Sequence, residues 1–333
     1  MMTKKFLVYV IFIYFSKELL FGMEYEELYQ NLSNLYAPTK EDFHLIQSYL
    51  NKAPREYLTW LNTFYPEYAR DELRYDLRAR TIQLLPPKGA FDLSLQELFF
   101  TPKEEKESCV ISFASWNQIG GYRENLLAMG GHLERVKFQG HFLYRLGGWP
   151  NIEGGSLSLV HVPYAFKVCM FKEAERLGYK KILWLDTSCV PLRNFDEIFQ
   201  KIEKEGYFLL KGGDSCFKEK SSEKIRLYFS FTQEEHKSIT PLSLAIIGLD
   251  LENPIGKELL DLWYKAAEDL DPYLSPRPEQ NALAAIAYRL QLLPSASFYD
   301  IFCTHQNPKI APSHYFFLGY RGTETLLRDL LRK

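Results

Sequence analysis

The segment Lys181-Ile182-Leu183-Trp184-Leu185-Asp186 constrains the fold more than any other part of the chain. Four consecutive large apolar residues leave no side for solvent, so a strand here has to be covered on both faces, as strands of α/β sheets are. The text just before it supplies one cover. Over residues 163–177 a helix is predicted, because Phe166, Cys169, Met170, Ala174 and Leu177 recur at helical spacing and Gly178 stands at the C′ position.

The same alternation of short apolar runs and helical patterns fills the chain beyond residue 105. A first strand is predicted at Cys109-Val110-Ile111-Ser112-Phe113-Ala114. A helix from Tyr122 should follow it and end in Gly130-Gly131 as a C-cap, with a second strand from Leu133 to Phe138. Gly147-Gly148-Trp149-Pro150 and Gly154-Gly155 mark a loop. A helix over 194–205 has Asn194 as N-cap, an apolar stripe of Phe195, Ile198, Phe199 and Ile202, and Gly206 as its stop. Strands are expected at 207–210 and 242–249, and helices at 255–270 and 279–290, each begun just after a proline. The order β, α, β, α, β, α, β, β, α, α predicts an α/β domain over residues 105–325: a mixed, mostly parallel sheet flanked by helices.

Upstream the text differs. Residues 23–104 are rich in Glu, Leu and Tyr, with helix starts at Thr39-Lys40-Glu41-Asp42 and Ala53-Pro54-Arg55-Glu56, and read as a helical accessory region. Residues 1–22 open with two lysines, Lys4 and Lys5, and hold an apolar run, Phe6 to Phe15, that rises only ~15 Å as a helix, about half of a bilayer core. No transmembrane span is expected there. The segment fits either a signal peptide, which would place the protein outside the cytoplasm or in a periplasm, or a buried apolar segment of a cytoplasmic protein.

The balance of 40 Lys+Arg against 42 Asp+Glu, with no basic cluster, argues against a nucleic-acid partner. The five cysteines are too far apart in sequence to form a CxxC metal or redox motif and are expected mostly as free thiols.

Chemistry is expected beyond the carboxyl ends of the strands, where ligands of open α/β sheets sit. Asp186 stands at that end of the most apolar strand and is followed by Thr187-Ser188-Cys189-Val190-Pro191-Leu192. A carboxylate there can hold a divalent cation or a ribose hydroxyl, or simply cap the turn before Asn194. Together with His161-Val162-Pro163-Tyr164-Ala165-Phe166-Lys167 and the helix that ends Leu177-Gly178-Tyr179, this block resembles the centre of GT-A-type glycosyltransferases, in which an apolar strand ends in a DxD motif. The resemblance implies a GT-A-like domain and transfer of a sugar from a nucleotide-diphosphate donor to an acceptor, whether glycan, lipid or protein.

It also implies roles. Asp186 would contact the donor's metal or ribose, and Lys167 the nucleotide or its phosphates. Ser112, Phe113 and Ala114, with Ser115 and Trp116, would form the base and ribose pocket. Glu279 and Gln280 would line the acceptor or donor-sugar side, with Glu279 the candidate general base, and His305 would be a third metal ligand. Asp250, ending another strand, could line the sugar pocket.

One departure is chemical: Ser188 stands where DxD has its second carboxylate, which puts a Mn2+ or Mg2+ ion in doubt, since hard cations favour anionic oxygen. The same substitution keeps a second class open, a non-catalytic sugar-nucleotide or glycan-binding module. A haloacid-dehalogenase-type phosphatase lacks its general-acid Asp here, and a nucleotidyltransferase would need a basic Gly-rich loop where Ser115-Trp116-Asn117-Gln118-Ile119-Gly120-Gly121 stands.

Overall fold

The computed structural model describes residues 95–114, 121–147, 164–212, 221–273, 277–304 and 315–319, and residues 150, 152, 159, 162, 217 and 275 singly. The expectations for residues 1–94, for Ser115, Trp116 and His161, and for His305 lie outside these residues. Among the described residues no helix is long and apolar enough to cross a membrane.

The elements run β1 (Gln96–Phe99), β2 (Ser108–Ala114), α1 (Tyr122–Arg135), β3 (His141–Leu146), α2 (Phe166–Arg176), β4 (Lys181–Leu185), β5 (Cys189–Pro191), α3 (Asp196–Glu205), β6 (Tyr207–Lys211), α4 (Glu223–Tyr228), α5 (Gln233–Ser238), β7 (Leu242–Asp250), α6 (Pro254–Asp269), α7 (Pro278–Arg289), β8 (Ala296–Ser297), α8 (Phe298–Ile301), β9 (Phe302–Thr304) and β10 (Phe317–Gly319). Seven strands form one mixed sheet in the order β1-β3-β2-β4-β7-β6-β8, and β5-β10-β9 form a small second sheet. In the large sheet β3, β2, β4, β6 and β8 point one way, and β1 and β7 point the other. The predicted mixed α/β sheet flanked by helices is therefore what the chain forms.

β4 sits at the centre and is covered on both faces. Ile182 and Trp184 pack into one core layer with α2, α6 and α7, and Leu183 and Leu185 into the other with α1 and α3. Each such side chain, fully buried, contributes about 1.5–3 kcal/mol of transfer free energy.

Several elements depart from the sequence-based expectation. Gly130 and Gly131 do not end α1, which runs on to Arg135. Neither glycine has a positive φ, and Leu126, Met129 and Leu133 continue one buried helical stripe beneath them. Gly130 is small for a different reason: a Cβ there would lie 2.5 Å from Leu98 Cδ1 of β1. The strand expected at Leu133–Phe138 is displaced to His141–Leu146, after a turn in which Lys137 (φ 57°) and Gly140 (φ 144°) are left-handed. β1 pairs antiparallel with β3, so the sheet reaches back past the boundary placed at residue 105.

The reversal of β7 matters most for the site. β7 is antiparallel to β4, with Lys181 opposite Asp250 and Leu185 opposite Ile246. Asp250 therefore lies at the opposite end of the strands from Asp186. There its carboxylate accepts the Glu252 backbone N–H at 3.0 Å, so the suggested sugar-pocket role is withdrawn.

Candidate functional site

Asp186 leaves β4 still tied to the sheet, its backbone N–H donating to the Ala245 carbonyl of β7 at 2.9 Å. The next residues turn at once: Cys189 N–H donates back to the Asp186 carbonyl at 2.8 Å and the chain enters β5. Ser188 is the third residue of this turn and half-buried. The backbone thus fixes where the Asp186 carboxylate starts.

Two side chains fix where it points. Trp184 donates from Nε1 to Asp186 Oδ1 at 2.8 Å, and Lys167 Nζ lies 2.9 Å from the same oxygen. Among the described residues nothing bonds to Oδ2, and the Asp186 side chain is 33% exposed.

Lys167 is the second residue of α2, which begins at Phe166 and not at the expected residue 163. It lies on the buried side of the helix, with 7% of its side chain exposed. Its ammonium reaches three oxygens from three elements: Asp186 Oδ1, the Leu244 carbonyl of β7 at 3.0 Å and Glu279 Oε1 of α7 at 3.6 Å. It also sits 5.3 Å from the centre of the Trp184 ring. Burial alone would pull its pKa down, but the Asp186 and Glu279 carboxylates outweigh burial and hold the group above its ordinary value. Lys167 is charged and committed to these partners.

Glu279 is the second residue of α7, and its side chain is 8% exposed. Burial pushes its pKa up, against the opposing pull of Lys167. Its carboxylate serves as a buried counter-charge and is poorly placed to take a proton from an incoming acceptor. Gln280 is half-buried, and its amide donates to the Leu242 carbonyl at 3.2 Å, tying α7 to the start of β7.

The structure brings Asp186, Lys167 and Glu279 together around one ammonium. It does not bring Ser112, Phe113 and Ala114 to an open surface. Ser112 and Ala114 are fully buried and Phe113 is 6% exposed. The Ser112 hydroxyl donates to the Leu185 carbonyl at 2.7 Å, and Phe113 stacks on Phe166 with ring centres 4.7 Å apart. As core groups they position β4 and α2, and the pocket role suggested for them is corrected accordingly.

Two residues emerge that sequence reasoning did not single out. Trp184 was visible as a strand residue, but its indole N–H meets Asp186 two positions on, on the same side of the strand, a spacing that the period of two allows. Tyr164 has φ 61°, an outlier for a bulky residue at the entrance to α2. It is half-buried, and its ring centre lies 5.9 Å from that of Phe166. No local signal in the sequence marks that conformation.

The divalent cation implied by the resemblance does not fit these residues. Among the described residues no three His, Cys, Asp or Glu side chains converge on a point that could hold a metal. Asp186 Oδ1 already faces an ammonium, Glu279 is buried behind the same ammonium, and Ser188 offers a neutral hydroxyl in place of the second carboxylate. A cavity of about 630 Å3 lies elsewhere, between α5 and the C-terminal half of α7, where Phe231, Leu242, Ala287 and Tyr288 line it; Asp186, Lys167 and Glu279 do not.

No family model matches the chain, and no curated protein does. Among solved structures it is similar to the crystal structure of a glycosyltransferase involved in the glycosylation of the major capsid of PBCV-1, at 11% sequence identity and a TM-score of 0.40, over 68% of this chain and 100% of that one. A likeness at this score and identity decides neither fold nor activity.

Proposed function

We propose that the chain transfers a sugar from a nucleotide-diphosphate donor to an acceptor on a GT-A-like sheet, with Asp186 as the carboxylate that contacts the donor. The observation that carries this reading is the state of Asp186: a carboxylate at the carboxyl end of the central strand, one oxygen clamped by Lys167 and Trp184 and the other free among the described residues. A hydroxyl of the donor would donate to that oxygen. Transfer then requires the charge growing on the leaving diphosphate to be met by fixed dipoles and cations. The N-terminal end of α2, whose first turn carries Lys167, supplies a positive dipole beside the site. Lys167, suggested from sequence as the phosphate contact, acts in this reading through Asp186.

A second reading, a module that binds sugar nucleotides or glycans without turning them over, is favoured by one observation. Of the three charged groups only Asp186 is appreciably exposed, which leaves no accessible base in the cluster besides the carboxylate that would contact the donor.

A thermal-shift panel of UDP-, GDP-, CMP- and dTDP-sugars on wild type and Asp186→Asn, followed by a turnover assay with whichever donor binds, tests both. Transfer predicts that a donor raises the melting point of wild type and that Asp186→Asn folds but loses turnover by roughly ten- to a hundredfold, the effect of one charge-assisted contact. Donor binding with no turnover in wild type favours the binding module. Equal turnover in a folded Asp186→Asn protein removes Asp186 from the site.

A further inference from the structure

The Lys167 ammonium occupies a point that has the make-up of a hard-cation site. Around Nζ stand a carboxylate oxygen of Asp186 at 2.9 Å, a backbone carbonyl oxygen of Leu244 at 3.0 Å and a carboxylate oxygen of Glu279 at 3.6 Å. Carboxylate and carbonyl oxygens are what Mg2+, Mn2+ and Ca2+ take as ligands. They come from the residue that follows β4, tied to β7 by its backbone N–H at 2.9 Å, from β7 itself and from α7. The lysine that fills the point cannot easily leave it. Its own helix position is buried, and the next residues, Val168 and Cys169, are fully buried in the core.

We infer that Lys167 is a resident substitute for a divalent cation: its ammonium closes the oxygen cluster of Asp186, Leu244 and Glu279 to metal ions, and its removal opens a latent divalent-cation site there. Charge supports this. Two carboxylates and one ammonium sum to −1 when all are ionised, whereas the carboxylates alone sum to −2 in a buried place, which a dication would neutralise. An ammonium and a dication cannot share the cluster, because both would need Asp186 Oδ1 and would repel each other at that separation. Lys167 is thereby a positioning residue that holds Asp186 with its second oxygen free. The inference rests on the transfer reading only in asking what replaces a donor-bound ion. Its test uses Mn2+ alone, without nucleotide, so it stands or fails separately from sugar transfer.

The measurement is Mn2+ binding to the full chain, followed by loss of the free-ion electron paramagnetic resonance signal and by the thermal midpoint. Binding is counted when it is abolished by Asp186→Asn. Wild type is expected to show no Asp186-dependent Mn2+ binding. Lys167→Met should gain one such site, with a midpoint rise of roughly 5–10 °C at a Mn2+ concentration about a hundredfold above Kd, and Lys167→Met/Glu279→Gln should lose most of that gain. If Lys167→Met folds only when Mn2+ is present, the inference is supported. If it does not fold even then, the wild-type arm decides. Asp186-dependent Mn2+ binding in wild type overturns the inference, and so does a folded Lys167→Met protein that gains no site.

Discussion

Arg145 of β3 and Glu173 of α2 meet as a two-pronged buried pair, Nε donating to Oε2 at 2.9 Å and Nη2 to Oε1 at 2.5 Å. Their side chains are 9% and 2% exposed. The pair joins the sheet to the helix that carries Lys167, so it fixes the site at second hand. Such a pair repays its desolvation only while both charges are present, and removing one leaves the other buried and uncompensated, at about 3–5 kcal/mol. Glu173→Ala is therefore expected to lower the unfolding free energy by that amount in a urea titration. Arg145→Met/Glu173→Leu, which removes both charges and keeps the volume, should recover at least half of the loss. Equal stability of Glu173→Ala and wild type would show that partners other than Glu173 satisfy the guanidinium.

The two adjacent glycines of α1 should respond in opposite ways to the same change. Gly131 is exposed, has no positive φ, and a Cβ there would meet nothing within 4 Å. Gly131→Ala should gain about 0.5–1 kcal/mol by removing the entropy that glycine loses in a helix, a rise of roughly 1–4 °C in a calorimetric midpoint. Gly130→Ala would press on Leu98 Cδ1 at 2.5 Å. There the same gain is offset by displacement of an edge-strand side chain, and the midpoint should stay level or fall. A larger gain at Gly130 than at Gly131 would mean that β1 does not pack on α1 in solution.

These glycines also show where the sequence could be followed and where it could not. Gly178 and Gly206 were legible as helix stops because each falls where the apolar stripe ends, and both are left-handed in the structure. Gly130-Gly131 gave the same local signal, but the stripe runs on to Leu133; packing against β1, a contact between distant segments, decided the matter. β4 was legible because an all-apolar run admits one environment. The direction of β7 was not, since an apolar run reads alike either way along a sheet, and that reversal is why Asp250 lies opposite Lys181 and far from Asp186. In the site, Asp186 could be found from its place at a strand end and Lys167 from the block it belongs to. The three oxygens around Lys167 could not, because they come from the residue that follows β4, from β7 and from α7 and meet only once the sheet is assembled.

Four charges clasp α2 to α6 on the surface. Lys172 donates to Glu175 at 2.7 Å and to Asp261 at 2.8 Å, and Lys257 donates to Glu175 at 2.5 Å and to Asp261 at 2.9 Å. Partial burial tends to raise the Asp261 pKa, but hydrogen bonds from Lys172 and Lys257 outweigh it and hold the carboxyl below its ordinary value of 3.8. A carboxylate with a lowered folded-state pKa adds stability above its unfolded pKa and loses it as pH falls through the folded one. The Asp261 side chain is 48% exposed, so solvent and salt screen the pair and the contribution at pH 7 is at most about 1 kcal/mol. Asp261→Asn should thus be slightly less stable than wild type at pH 7 and low salt. The difference should narrow as pH falls below about 3.8 and shrink at 1 M NaCl, where the Debye length is about 3 Å. Urea midpoints of both proteins at pH 7 and pH 2.5 measure this. A gap that is the same at both pH values would trace the loss to the hydrogen-bond geometry of Asp261 and not to its charge.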